Sequence, residues 1–336
     1  MSESTLAISF TQLRQQVGQE MGFGADPANW DATTAAAIDF CVASGLRQFY
    51  APPPLRENAP SHRWSFLRPV TTIVAWATLS GTATNTVREN VTHVSGQTTL
   101  DSTLPTFFPT MVGSPITFPD GSGTFTITAY VSTTRVVVAG DVPSPTTPRQ
   151  FTMTATGNYP LPDEFGGLDG ELTIETPDLS ERPCLLTSES VVRAHRAALR
   201  ATGQPTEAAI VPVLMPTVAT PTNVGQRFQL QLAPIPNVNY TLRYRFQVLP
   251  DGINANNLHA YGGAMHSETI LASCLEAAGR KFNQRPETYA AKWLERLAAS
   301  ISQDQTHGPQ RLGFSEDTVY ERRRNTGRFT INGVVM

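Results

Sequence analysis

Apolar residues recur at helical spacing near both ends of the chain and at strand spacing between them. Ser9 and Gln12 stand three apart, the spacing of a capping box, ahead of an apolar series of Leu13, Val17 and Met21. Gly22 and Gly24 end this first predicted helix. Ile38, Val42, Leu46 and Phe49 recur every three or four positions and predict a second helix over 33–50. Pro52, Pro53 and Pro54 stop it, because proline lacks the backbone donor that a helix needs.

From Trp64 the pattern changes. Segments 64–79, 91–94, 115–118, 124–131, 134–139 and 151–157 are rich in Thr, Val, Ile, Phe and Tyr, with turn clusters at 119–123 (PDGSG) and 144–148 (SPTTP). Short strands separated by turns predict an antiparallel sandwich or barrel. Phe125, Ile127 and Ala129 alternate with Thr124, Thr126 and Thr128, as in a strand with one polar face. Val191, Val192, His195 and Leu199 share one face of a predicted helix over 188–202, with Gly203 as its stop. Strands are predicted at 207–215, 226–233 and 238–248. The last two, RFQLQLA and YTLRYRFQV, alternate strictly and are expected to form a hairpin through PIPNVN. A helix over 264–282 carries Ile270, Leu271, Cys274, Leu275 and Ala278. Another begins at Pro286 and carries Tyr289, Trp293, Leu294, Leu297 and Ile301.

Residues 305–336 hold isolated apolar positions, the run ERRRNTGR at 321–328 and a strand-like FTINGVV, but no sustained period. Thirty residues without a core of their own need a partner surface. They read as an extended arm that docks on a neighbouring subunit, or else as a disordered tail. The expected fold class is α+β. A helical bundle core with a β-hairpin (1–69 and 158–304) is interrupted by an inserted antiparallel β-sandwich or barrel domain (70–157) and followed by the arm (305–336).

Composition narrows the function. Net charge is −3, with 16% charged and 40% hydrophobic residues. Intrinsic disorder of the whole chain does not fit that balance, and neither does a general affinity for nucleic acid. Lys281 and Lys292 are the only lysines. Arginine in their place suits forked contacts with carboxylates, although codon usage gives the same bias. Cys41, Cys184 and Cys274 are too few and too widely spaced for a disulfide framework, and fit folding in a reducing cytoplasm. The start MSESTLAISF has no basic segment before an apolar run, so no signal peptide is expected. No stretch reaches the ~20 apolar residues of a membrane span. The sequons at Asn90 and Asn239 are then chance matches.

The search for reactive chemistry returns little. His62, His93, His195, His259, His266 and His307 are dispersed, with no His-Glu-x-x-His and no Cys-x-x-Cys. His266 and Cys274 lie eight apart on one predicted helix, too far for a single metal. The nucleophile elbow, the phosphate loop and the dinucleotide fingerprint are all missing. Asp163-Glu164 and Asp169–Glu171 are clustered, but adjacent carboxylates cannot flank one glycosidic bond from opposite sides. No catalytic residue, metal or cofactor is therefore expected. Arg322, Arg323 and Arg324 suit nucleic-acid phosphate or acidic residues on a protein, and the lack of interleaved aromatics favours the protein. The candidate interface consists of Arg311, Phe314, Tyr320, Arg322, Arg323, Arg324, Arg328, Phe329 and Ile331.

Four segments in order carry a family resemblance. They are DFCVASGLRQFY at 39–50 with a Pro-rich stretch and HRWSFL at 62–67, the Thr- and Val-rich β segment that follows, YPLPDEFGGLDG at 159–170, and LQLAPIPNVNYTLRYRFQV with the helix GGAMHSETILASCLEAAGRKFN. Together they cover most of 5–315. The chain resembles the head-to-tail adaptor (connector, tail tubular protein A-like) proteins of tailed bacteriophages, especially short-tailed ones. The resemblance implies a structural virion protein at the head–tail junction that forms a ring, usually dodecameric. Its partners would be the portal and the nozzle or tube proteins of the tail. DNA would pass through the channel without specific binding, no membrane would be involved, and no catalytic residue is carried over. A tube, terminator or baseplate component, or a virion glycan-binding protein, are the alternative readings.

Overall fold

Ser9 opens the first helix as its spacing predicts: Gln12 N–H donates to Ser9 Oγ at 3.3 Å and Ser9 N–H to Gln12 Oε1 at 2.9 Å. A computed structural model of the protein describes residues 3–55, 60–81, 87–89, 96–142, 149–175, 181–198, 201–213 and 226–307, together with strand positions 330–331 and 334–335. In chain order the elements begin with α1 (Phe10–Glu20) and α2 (Ala32–Tyr50). The strands β1 (Val70–Ala75), β2 (Leu79–Ser80), β3 (Val87–Glu89), β4 (Gln97–Ser102), β5 (Pro115–Phe118), β6 (Gly123–Ser132), β7 (Arg135–Ala139), β8 (Thr152–Met153), β9 (Asn158–Pro160), β10 (Phe165–Glu175) and β11 (Glu181–Leu186) follow. Next come α3 (Glu189–Ala198), β12 (Thr202–Gly203), β13 (Glu207–Val213), β14 (Arg227–Ala233), β15 (Ile235–Pro236) and β16 (Tyr240–Val248). The chain ends with α4 (Ser267–Phe282), α5 (Pro286–His307), β17 (Thr330–Ile331) and β18 (Val334–Val335). The class is α+β.

Two compact units divide the chain, one of residues 1–66 with 252–336 and one of 67–251. The first unit is helical where it is cored. Asp31 caps α2 by accepting from Thr34 N–H at 2.7 Å, and Ile38, Val42, Leu46 and Phe49 are buried as their period requires. α2 packs on α4 through small residues. A Cβ added to Gly45 would fall 2.6 Å from the Cys274 backbone, so the two helices approach as closely as glycine permits. On α4 the buried set is Ile270, Cys274, Ala277 and Ala278; on α5 it is Tyr289, Trp293, Leu297 and Ile301. A buried hydroxyl pair, Thr269 and Ser300 at 2.6 Å, ties α4 to α5. The N-terminal segment is held along the other flank. Phe10 N–H reaches the Leu258 carbonyl at 2.7 Å, and Ile8 N–H reaches Ser267 Oγ at 3.0 Å.

The second unit holds two seven-stranded sheets. One has the order β1-β16-β10-β11-β13-β14-β9 and curls into a nearly closed barrel. All its pairs are antiparallel except β11 with β13. Its end strands, β1 and β9, meet through side chains. Tyr159 on β9 donates to the Trp76 carbonyl at 2.6 Å, just past β1, and Thr110 Oγ1 donates to the Val74 carbonyl at 2.8 Å. Within this sheet Phe165 stacks on Phe246 and meets Phe228 and Tyr244 edge-on. The other sheet has the order β2-β8-β5-β6-β7-β4-β3 and is cored by Leu100, Phe107, Met111, Ile116, Ile127, Val136, Val138 and Phe151. The expected turn at 119–123 joins β5 to β6, with Phe118 opposite Gly123 and Gly121 at φ 89°.

Two expectations differ from this arrangement. The strands at 226–233 and 238–248 do not pair with each other. β14 pairs with β13 and β9, whereas β16 pairs with β1 and β10. The link between them diverges because Ile235–Pro236 leaves to pair with β12. Strict alternation reports a half-buried strand; it does not report the neighbour. The expected boundary at 157/158 also falls inside the second unit, since β16 lies between β1 and β10. The strand expected at 91–94 lies outside the described residues.

Candidate interaction site

The last turns of α5 meet the 60–65 segment in a polar knot. Asp304 is 5% exposed. Its Oδ2 lies 2.8 Å from His62 Nε2 and accepts from Ser65 N–H at 3.0 Å, and its Oδ1 accepts from Ser65 Oγ at 2.6 Å. Burial of a carboxylate demands such partners. Trp64 completes the knot, with its ring edge-on to His62 at 4.8 Å and its Nε1 donating to the Phe49 carbonyl at 2.6 Å. The Ser65 hydroxyl gives its proton to the carboxylate and not to the imidazole. The three groups together anchor the 62–65 segment to the end of α5. A cavity of 550 Å³ lies beside it, lined by Pro53, Leu55, Pro60, His62, Ile301 and Gln305 among others. The anchor sits three residues before the end of α5.

Other polar groups that the sequence singled out are also in ion pairs. Arg68 Nε donates to Asp169 Oδ2 at 2.7 Å, and Asp163 meets Arg227 at 2.8 Å, so the two aspartates of the 159–170 motif face different arginines. α3 is pinned to its sheet by His195, 3.0 Å from Glu207, and by Arg196. The Arg196 guanidinium donates to Leu232 O at 2.8 Å, Asn158 Oδ1 at 2.9 Å and Gly157 O at 2.7 Å. Burial lowers the pKa of this guanidinium below the usual arginine value. The three thiols are buried. Desolvation pushes Cys41 up to about 11, and Cys184 and Cys274 each up to about 12. His266 is surrounded by Phe49, Trp64 and Phe66, with ring centroids 5.1–6.0 Å away, and Cys274 Sγ faces the Val42 carbonyl. Among the described residues no three His, Cys, Asp or Glu side chains come together to hold a metal ion, and no helix is long and apolar enough to cross a membrane.

On the surface of the helical unit, Phe40 is 56% exposed between two cations, Lys281 Nζ at 5.5 Å and Arg47 Cζ at 6.0 Å from its ring centre. Of the interface residues expected from sequence, Arg311, Phe314, Tyr320, Arg322, Arg323, Arg324, Arg328 and Phe329 lie outside the described residues. Ile331 is a position of β17, paired with Val334. The Asp304 anchor had no local sequence signal, because its partners stand 239 and 242 positions away. No family model matches the chain, and no curated protein matches it.

Proposed function

We propose that the protein is a non-enzymatic structural subunit of a ring that joins the portal of a tailed bacteriophage to its tail and extends the DNA channel. The observation that carries this reading is the anchored root of the arm. A buried carboxylate fixes the end of α5, and the 29 residues from 308 to 336 that follow include five of the chain's arginines. A segment of that length and composition, launched from a fixed point, suits contact with another chain. The helical unit would be the bundle core of the ring wall, and the β unit the inserted barrel domain. A head-to-tail ring joins two different patches on identical subunits and closes only at one rotation, which a portal's own symmetry templates. A net charge of −3 suits a channel that DNA crosses without adhering.

The test is native mass spectrometry of the protein alone and with the portal from the same genome. Closed rings, dodecameric when portal is present, are the expected result. A chain ending at His307 keeps α5 whole and is expected to stay folded and lose the assembly. Normal assembly without 308–336 would remove the arm from the contact. No association with portal at any salt concentration overturns the adaptor reading in favour of tail-tube partners or host glycans.

A further inference from the structure

The barrel sheet has two ends of different character. Phe246 N–H donates to the Pro69 carbonyl, which sets the alternation along β1: positions 71, 73 and 75 face β16, and positions 70, 72 and 74 face outward. The Val74 carbonyl, taken by Thr110, obeys the same parity. Among the described residues no hydrogen bond reaches the outward N–H and C=O groups of Val70 or Thr72. Both residues are exposed, Val70 by 52%. At the other end, β9 is blunted. Its outward positions are 158 and 160; Asn158 N–H is taken by Thr156 Oγ1 at 3.3 Å, and Pro160 has no N–H to offer. One edge has no outward N–H left to offer, and the other presents four backbone groups without a partner among the described residues, flanked by an exposed valine.

The chain also contains a strand pair too small to persist alone. Thr330 pairs with Val335 and Ile331 with Val334, two rungs on either side of Asn332-Gly333. Two-stranded ribbons are marginal even when longer, and a third strand stabilises them. The 22 residues from 308 to 329 give this ribbon a reach of up to roughly 75 Å when extended. We propose that the strand pair of Thr330–Ile331 and Val334–Val335 in one copy adds to the 70–72 edge of the next copy, extending the barrel sheet through backbone hydrogen bonds. Backbone pairing supplies the affinity. The β-branched Thr330, Ile331, Val334 and Val335 fit a pleated surface. The choice of a second copy as donor rests on the ring reading above; the open edge itself does not.

The test uses Thr72→Pro. The Thr72 N–H faces outward, so proline there removes an edge donor while the β1–β16 ladder stays whole. Thr72→Ala keeps the donor and serves as the control. Each full-length variant is assayed for assembly by native mass spectrometry. Each is also assayed for binding of a fluorescent peptide of residues 326–336 by anisotropy, with Ile331→Pro added to disarm the chain's own ribbon. The expected result is a fold and melting temperature like the control, with peptide affinity and assembly both weakened at least tenfold by Thr72→Pro and unchanged by Thr72→Ala. Assembly of Thr72→Pro at wild-type strength overturns this contact and leaves the ring standing. Peptide binding that depends on Thr72 in a protein that never assembles keeps the contact and overturns the ring. Absence of peptide binding overturns the contact. A Thr72→Pro effect confined to protease protection of the same copy's residues 308–336 would assign the strand to its own copy and overturn the proposal as well.

Discussion

Asp304 fastens the end of α5 to Ser65 and His62, and its removal would take the acceptor away from the half-buried Ser65 N–H and hydroxyl. Each stranded group costs about 1–3 kcal/mol. Asp304→Ala is therefore expected to lower stability by about 2–4 kcal/mol, read from urea unfolding. Asp304→Asn should lose less, because one of its atoms still accepts. A wild-type midpoint for both would mean that the knot contributes nothing. The thiols make a second prediction at this scale. Cys41 is pushed from 9.0 up to about 11, and Cys184 and Cys274 to about 12, by burial. A raised acid favours its neutral form in the folded state, so this contribution is whole below pH 9 and is lost as pH rises through about 11 to 12. Stability should decline on the alkaline side over that window. At neutral pH a disulfide reagent should label the three thiols only as fast as the protein opens, and immediate labelling of the native protein would contradict their burial. What the sequence revealed at this scale was local. The Ser9–Gln12 box acts over three residues, while the Asp304 partners are separated by most of the chain.

Helices were more legible than strand partners. The periods in α2, α4 and α5 survive in the structure because each helix has one buried stripe, and the three-to-four spacing of that stripe is a property of the helix alone. The Gly45 contact shows what periodicity omits. Glycine at 45 reads as a weak point in a helix, yet it marks the closest approach of α2 to α4. Gly45→Ala gains helix propensity, and it pushes a methyl group into the Cys274 backbone. Overpacking of this kind costs about 1–3 kcal/mol, more than the propensity returns. The expected net result is a lower melting temperature; a higher one would show that the helices can separate without loss. β14 and β16 are the opposite case. Their alternation placed them in sheets, but a strand's neighbour is chosen by contacts far along the chain, and Pro236 and its companion at 235 turn away to β12.

At the scale of the whole molecule, the α+β class and the interruption of helical sequence by a β-rich stretch were readable. The extent of that stretch was not. The interruption runs to 251 and not to 157, because β16 completes a sheet that β1 begins. The same pairing has a consequence for how such a protein changes over time. Val70 lies opposite Arg245, so the chain enters and leaves the β unit on adjacent antiparallel strands, about 5 Å apart. A module whose two ends meet is a cassette. It can be lengthened, trimmed or exchanged for another with the same doorway, and the polypeptide on either side keeps its path.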